Sequence, residues 1–261
     1  MHVVVCGKVI PDASVTLQID PATKRLKRKD QPHELDPAAA SAVEEALRLT
    51  EKHGGSVTFV TMGIADVTVG IRRALAMGAT AAVHLLDDAL AGSDTLGTAK
   101  ALAAAIKKQA GDFDLVICAT ESSDSYSGIV PAQVAYFLGI PALTFARQVS
   151  VEGKALTIHR QSETGYAVVT TELPALVSVT SGINEPRYPQ LKGIMAARKI
   201  EIATLTAADL GLGSDQVGES GARERVLSVG APPPRAKGEV IQDTGDGGKR
   251  VAEFLASVGV I

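Results

Sequence analysis

The chain has 261 residues, a net charge of −3 and 3% aromatic residues with no tryptophan. This length can bury one large α/β domain with an appendage. The weak charge and the scarcity of aromatic rings argue against a nucleic-acid partner, which needs a basic surface or a stacking platform. No apolar run approaches the roughly 20 residues that cross a bilayer, and the start MHVVVCGKVI has no basic leader segment, so we expect a cytoplasmic protein.

The first half of the chain alternates predicted strands and helices. Residues 3–10, VVVCGKVI, form a β-branched run typical of a strand covered on both faces, and Pro11 ends it. A helix begins at Asp36 as N-cap with Pro37 in its first turn, and it stops at Gly54. Strands are predicted at 56–63, 81–86 and 112–120, and helices at 65–77 and 93–111. This order predicts an open, mostly parallel, Rossmann-like sheet with helices on both faces.

Residues 14–32 interrupt this alternation with a polar hairpin candidate. It contains the basic run KRLKRK at 24–29, which we interpret as a solvated loop or hairpin. Cys6 and Cys118 each lie inside an apolar run, where buried reduced thiols are expected.

The second half of the chain changes character. A polar loop leads into a helix within residues 122–143, and residues 149–160 and 165–180 have the period-two pattern of antiparallel or edge strands. We place one α/β domain at 1–205. Residues 206–261 are rich in glycine and proline and end in a helix candidate from Gly248 to Val258, which predicts either an extended arm on a partner subunit or a disordered tail.

The loop ATESSDSYSG at 119–128 follows the fourth predicted strand and opens a helix. In open parallel sheets, ligands bind beyond the carboxyl ends of the strands, and a helix start offers N–H groups to an anion. A phosphate or nucleotide site is therefore predicted, although these residues are also ordinary turn and capping residues.

Gly7, Lys8, Asp36, Met62 and Gly63 follow or open neighbouring elements and could border the same crevice. Asp36 is most simply an N-cap, and Met62 most simply a core or pocket-lining residue. No histidine has metal-ligand spacing, and no nucleophile elbow or catalytic dyad is present, so hydrolysis and acyl transfer have no support in the sequence.

The segment NEPRYPQLKGIMAARK, 184–199, is polar and lies between two apolar runs. Pro186 and Pro189 favour an extended start, and a helix can begin at Leu191. The segment resembles the signature of the beta subunit of electron transfer flavoproteins. The stretches VEEALRL, RRALAMGA, FLGIPALTF and APPPRAKGE resemble the same family, so the resemblance spans essentially the whole chain.

This resemblance implies a heterodimer in which an alpha subunit holds most of an FAD and this chain completes the pocket and binds AMP. Electrons would come from acyl-CoA dehydrogenase-type flavoenzymes and pass to a quinone oxidoreductase. The residues that match the family's AMP site are Val5, Asp36, Pro37, Ala38, Ala39, Met62, Ala119, Thr120, Glu121, Ser122, Ser123, Asp124, Ser125, Tyr126, Ser127, Gly128, Ile129 and Val130. Leu191 matches the family's anchor for docking the dehydrogenase, with Pro189, Ile194 and Met195 beside it.

Three departures from the family pattern are visible. Asp36 stands where AMP-binding members often have Asn. The loop SSDSYSG lacks the form seen in electron-bifurcating members, and the positions near Asp12 and Ala38 do not reproduce the aromatic residues that some members place by the flavin. Two other classes stay open: a free-standing ATP- or AMP-binding protein of the universal-stress type, and a scaffold without a ligand.

Overall fold

A computed structural model describes residues 1–230, 233–234, 238, 240 and 242–261. It contains two compact units, Met1–Leu227 and Ser228–Ile261. The strands are β1 (His2–Cys6), β2 (Val9–Pro11), β3 (His33–Leu35), β4 (Ser56–Met62), β5 (Ala81–Leu85), β6 (Leu115–Ala119), β7 (Ala142–Glu152), β8 (Ala155–Ser162), β9 (Gly165–Glu172), β10 (Ala175–Val179) and β11 (Ile202–Leu205). The helices are α1 (Pro37–His53), α2 (Thr68–Met77), α3 (Thr95–Gln109), α4 (Val130–Leu138), α5 (Leu191–Ala197), α6 (Gly218–Gly221) and α7 (Gly247–Ser257).

The central sheet has the strand order β11-β5-β4-β1-β6-β10-β7-β8-β9. Its pairings are parallel from β11 through β7, and only β8 and β9 join antiparallel at one edge. The predicted α/β class, the mostly parallel sheet and the antiparallel edge strands are confirmed. A separate small sheet pairs β2 with β3.

Alternate residues of β1 enter two different cores, one on each face of the sheet. Val3 and Val5 pack in the cluster that includes residues of α1 and α2, and Val4 and Cys6 pack in the cluster of α3 and α4. Both faces are therefore covered by helices, which explains why the strand is apolar at every position instead of at alternate ones.

The predicted boundaries of α1 are confirmed. Asp36 is its N-cap and accepts a hydrogen bond from the Ala38 N–H, Pro37 lies in the first turn, and Gly54 is the C-cap with a φ of 73°. The helix begins at a residue whose side chain can cap it and ends at a glycine that can adopt a positive φ, and both residue types can be read from the sequence.

The assignment of residues 165–180 to antiparallel or edge strands is wrong for its second part. β10 is fully buried and pairs in parallel with β6 and β7. β7 also begins at Ala142, inside the stretch assigned to the preceding helix. A strand inserted between two others must be apolar on both faces, and ALVSV has that pattern.

The first predicted strand and the hairpin also differ from the structure. The run VVVCGKVI is broken at Gly7 and Lys8 into β1 and β2. The hairpin forms only in short form: residues 14–32 contain one antiparallel bridge, between Ile19 and Leu26. The Asp20 N–H donates to the Arg25 carbonyl at 2.8 Å across the turn, and the Asp20 carboxylate accepts from two following N–H groups and closes the turn.

Residues 206–227 belong to the first unit. Ala207 and Val217 pack into the core on the α3 and α4 face. The second unit ends in α7, at the predicted place, and none of the residues of α7 is buried. Most of the stretch APPPRAKGE lies outside the described residues.

Candidate functional site

The carboxyl ends of β1, β4, β6 and β10 meet at one edge of the sheet. β1 has β4 on one side and β6 on the other, and the chain reaches these neighbours through α1 and α3. Such a change of direction leaves a crevice beyond the strand ends. The start of α1 and the loop after β6 lie at this crevice.

Asp36 joins the start of α1 to the loop after β6. Its carboxylate is buried and accepts hydrogen bonds from the Ser123 N–H and the Ser123 hydroxyl, both at 2.8 Å, and from the Ala38 N–H at 3.0 Å. The expected N-cap role is therefore confirmed, and a second contact to the loop is added. The acid faces donors of its own chain.

Asp124 is the second buried acid of the loop. Lys8 Nζ lies 2.6 Å from its Oδ1, Arg28 pairs with its Oδ2, and the Ser122 hydroxyl donates to it at 2.9 Å. Burial would raise the pKa of Asp124, but the charges and hydrogen bonds of Lys8 and Arg28 outweigh this effect and lower the pKa to about 2. The ion pairs therefore fix the loop to the strand end and to the basic run.

Three of the five cations in the basic run at 24–29 contact other groups of the first unit. Arg28 pairs with Asp124, Arg25 Nη2 lies 2.6 Å from Glu219, and Lys24 donates to the carbonyl of Leu227 at 2.9 Å. These cations are engaged with groups of the chain.

An open cavity of about 760 Å³ lies beside the loop, within the range of roughly 300 to 1,000 Å³ usual for small-ligand sites. Six of the predicted site residues line it: Pro37, Ala38, Thr120, Glu121, Ser123 and Tyr126. The structure thus brings together residues from the start of α1 and from the loop, as the sequence analysis expected of one crevice.

Residues from a second part of the chain complete the cavity, and the sequence analysis missed them. They are Phe145, Arg147, Gln161, Ser162, Glu163, Val179, Thr180, Ser181 and Gly182. They come from β7, from the end of β8 and the residue after it, and from the end of β10 and the residues after it. The position of β8 depends on its pairing with β7, and β7 in turn pairs with β10, which was assigned wrongly.

The other predicted residues do not line this cavity. Val5 and Ala39 are buried in the core, Met62 packs against it, and Ala119 ends β6. Ser122, Asp124 and Ser125 are joined to Lys8 by hydrogen bonds. The remaining ones, Ser127 to Val130, lead into α4.

The start of α4 offers donors to an anion. The N–H groups of Ser127, Gly128, Ile129 and Val130 have no hydrogen-bond acceptor among the described residues. Gly128 has a φ of 68°, which glycine adopts without strain. Consecutive free N–H groups at a helix start fit a phosphate, because the helix dipole adds partial positive charge there. The acids Asp36 and Asp124 are already satisfied elsewhere, so this fit requires no change in their contacts.

The segment 184–199 is placed on the surface of the first unit, and α5 begins at Leu191 as predicted. Leu191 is 73% exposed, Met195 58% and Ile194 39%, whereas Pro189 is half-buried. Three apolar side chains on two helical turns thus face away from the core, which is typical of an interaction site.

The buried histidine and thiols fit structural roles. His84 Nε2 lies 3.0 Å from the Gly63 carbonyl, and burial lowers the pKa of this histidine. Cys6 and Cys118 are free and buried, and a thiol contact from Cys6 together with burial raises the pKa of Cys118. A thiol held protonated in this way is a poor nucleophile. Within the described part of the chain, no helix combines the length and apolar character that a membrane crossing demands.

Comparison with known proteins gives consistent results. The model of the family "Electron transfer flavoprotein domain" matches residues 23–210. The chain is 42% identical to the electron transfer flavoprotein subunit beta of Mycobacterium leprae, over 100% of this chain and 99% of that protein. It is 39% identical to the subunit of the same name from Thermoanaerobacterium thermosaccharolyticum, over 92% of each chain. It is 35% identical to the caffeyl-CoA reductase-Etf complex subunit CarD of Acetobacterium woodii, over 94% of this chain and 93% of that protein. The chain therefore belongs to the electron transfer flavoprotein beta-subunit family.

Proposed function

We propose that this chain is the beta half of a cytoplasmic heterodimer that carries electrons between flavoenzymes. An alpha subunit holds most of an FAD, and this chain completes the pocket. The donors are acyl-CoA dehydrogenase-type flavoenzymes and the acceptor is a quinone oxidoreductase. The observation that carries this proposal is the exposed apolar group of Leu191, Ile194 and Met195 within a family that transfers electrons.

The class of donor has support from one relative. The Acetobacterium woodii protein is named as a subunit of a complex with a caffeyl-CoA reductase. We therefore expect a partner that acts on a CoA thioester to dock on residues 184–199. Bound FAD supplies the electron-transfer chemistry, and the protein supplies orientation and shielding from water.

We further propose that AMP binds at the crevice. Ser127, Gly128, Ile129 and Val130 would hold its phosphate, since their N–H groups lack acceptors among the described residues. The loop around Ser123 would support the site without contacting the phosphate, because Asp36 occupies its N–H and hydroxyl. The departure from Asn at position 36 is compatible with a nucleotide for this reason.

The C-terminal arm provides a contact with the alpha subunit in this proposal. In the second unit, α7 exposes Val251 and Phe254, and its C-cap residue Val258 is exposed as well. Apolar side chains on one face of a helix require a partner to be buried. We assign this role to the alpha subunit.

Co-purification with the alpha subunit tests the proposal. We expect a yellow heterodimer whose flavin absorbs at about 450 nm. Mass spectrometry of the small molecules released from it should find FAD and AMP. A colourless homodimer that binds ATP would instead support the universal-stress type of function. A heterodimer that releases FAD without a nucleotide would remove the AMP site and keep the carrier function.

A further inference from the structure

The docking segment, residues 184–199, has little regular secondary structure. Residues 182–190 contain no helix or strand, and α5 itself has only seven residues. Ala197 is the one residue of α5 that is buried. The orientation of the docking segment therefore depends on side-chain contacts with α1 and α2.

Arg187 ties the start of the segment to α1. Its Nε lies 2.7 Å from Glu44 Oε2, its Nη2 lies 3.1 Å from Glu44 Oε1, and both terminal nitrogens contact Glu51. The Arg187 N–H also donates to Glu44 at 3.2 Å. Glu44 and Glu51 are seven residues apart on α1 and lie on the same face of the helix. One guanidinium thus contacts two carboxylates two turns apart.

The carboxylate of Glu44 is built into this contact. Its side chain is 4% exposed, and Arg48 contacts it from within α1 at 2.8 Å. Burial would raise the pKa of Glu44, but the hydrogen bonds from Arg187 and Arg48 outweigh it and lower the pKa. Asn184 adds a second tie, because its side-chain amide donates to the Ser41 carbonyl and to Glu45, both at 3.0 Å.

The end of the segment is tied to α2. Arg72 Nη1 donates to the carbonyls of Ala197, at 2.6 Å, and of Ile200. Between these ties, Gly193 lies directly on α2, and a Cβ atom there would come within 2.4 Å of the Ala76 carbonyl oxygen. At position 193 the backbone of α5 thus lies so close to α2 that only glycine, which has no Cβ atom, fits there.

We propose that Arg187 is a positioning residue for partner docking: it fixes the start of residues 184–199 on α1, so that Leu191, Ile194 and Met195 are presented in one orientation before the partner arrives. This inference rests on the proposed docking function of the segment. A preorganised segment loses less conformational freedom on binding, so a partner binds it more tightly without any direct contact to Arg187. Electron transfer within the bound complex is unaffected.

The test uses the heterodimer with its FAD and an acyl-CoA dehydrogenase that reduces it. We expect Arg187→Ala to raise the KM for the heterodimer about tenfold, with kcat, flavin content and flavin absorbance unchanged. Arg73→Ala is the matched control, since Arg73 is an exposed cation on α2, outside residues 184–199, and its side chain has no hydrogen bond to the described residues. It should change KM less than about twofold.

Glu51→Gln separates positioning from direct charge attraction to the partner. If Arg187 acts through Glu51, this variant also raises KM, in the same direction as Arg187→Ala. If Arg187 attracts the partner directly, removal of the neighbouring negative charge lowers KM, and the inference is overturned. Gly193→Ala tests the importance of the orientation of α5 without changing Arg187. The added Cβ atom would displace α5 from α2, so this variant should raise KM as well.

Two further readouts keep the outcomes distinct. Amide hydrogen exchange at 188–197 should become faster in Arg187→Ala and Glu51→Gln, while exchange in β1 and β6 is unchanged. Leu191→Ala is measured in parallel. A raised KM in Leu191→Ala with an unchanged KM in Arg187→Ala refutes the positioning role alone, whereas an unchanged KM in both variants refutes docking at this segment.

Discussion

Asp36 and Ser123 are joined by two hydrogen bonds of 2.8 Å, one from the Ser123 N–H and one from its hydroxyl. The same carboxylate caps α1 through the Ala38 N–H. A single buried acid therefore connects the first helix to the loop that follows β6, although the two residues are 87 positions apart. Its charge is compensated by N–H and O–H donors, and the N–H groups at the start of α4 are left for another acceptor.

Replacement of Asp36 should destabilise both the helix start and the loop. Asp36→Ala removes an N-cap and leaves the donors of Ser123 without their acceptor, so we expect the free energy of unfolding to fall by about 2 to 4 kcal/mol. Urea unfolding followed by circular dichroism measures this change. The nucleotide content of the purified heterodimer should fall as well, because the loop that supports the crevice is released.

Asp94→Ala is the matched control for this change. Asp94 caps α3 through the Gly97 N–H at 2.8 Å and also accepts from the Arg223 N–H, and it does not line the cavity. It should reduce stability similarly and leave nucleotide content unchanged. Equal nucleotide loss in both variants would show that the effect of Asp36 is general destabilisation.

The lowered pKa of Asp124 predicts a stability change in acid. The carboxyl has a pKa of about 2 in the folded protein, against 3.8 for an unperturbed group. Between these values the unfolded chain binds more protons, so the contribution of Asp124 is fully present above about pH 5 and is lost as the pH falls. The loss should reach about 1 kcal/mol at pH 3 and about 2 kcal/mol at pH 2.

Urea unfolding of the chain and of Asp124→Asn at pH 7, 5 and 3 measures this contribution. The variant should be less stable at pH 7, because Lys8 and Arg28 lose their charged partner, and the difference should narrow between pH 5 and pH 3. Asp112→Asn is the control, since Asp112 is exposed and its carboxylate contacts no described residue. A stability difference that stays constant with pH would contradict the role assigned to the ion pairs of Asp124.

The parts of the fold that depend on local rules could be predicted from the sequence. Each of these features is determined by residues close together in the sequence: the N-cap at Asp36, the C-cap at Gly54 and the apolar runs of the parallel strands. β10 could not be placed in this way, because it lies between β6 and β7 while its neighbours in sequence are β9 and α5. Its environment is set by pairings between distant segments.

The same limit applies to the candidate site. The loop at 119–128 could be found because it follows a strand and opens a helix. Arg147 and residues 161–163 reach the cavity only through the path of β7 and β8. The contact of Arg187 with Glu44 joins residues 143 positions apart, and a charged pair at that separation has no signature in one sequence.

Leu191 should account for a large share of the affinity for the dehydrogenase. It is the most exposed of the three apolar side chains on α5, and central apolar anchors of interfaces cost about 2 kcal/mol or more when truncated. We therefore expect Leu191→Ala to reduce kcat/KM for dehydrogenase-dependent flavin reduction about tenfold or more. Stopped-flow reduction at varied heterodimer concentration measures it.

Leu17→Ala controls for the loss of an exposed leucine elsewhere. Leu17 is 48% exposed and lies outside the docking segment. Its replacement should leave flavin reduction unchanged, and neither variant should change thermal stability or AMP content. A Leu191→Ala heterodimer that accepts electrons at the normal rate and concentration dependence would exclude docking through this residue.

The apolar face of α7 should contribute to the affinity between the subunits. Phe254 is 63% exposed, Val251 58% and Val258 54%, and these positions recur at the three- to four-residue spacing of one helix face. Burial of a phenylalanine side chain against a partner contributes roughly 1.5 to 3 kcal/mol. We therefore expect Phe254→Ser to raise the Kd for the alpha subunit about tenfold or more, as measured by sedimentation velocity at graded concentrations.

Lys249→Ser, in the first turn of the same helix, should leave the Kd within about twofold. If Phe254→Ser also leaves it unchanged, the C-terminal arm is a tail that does not contact the alpha subunit through α7.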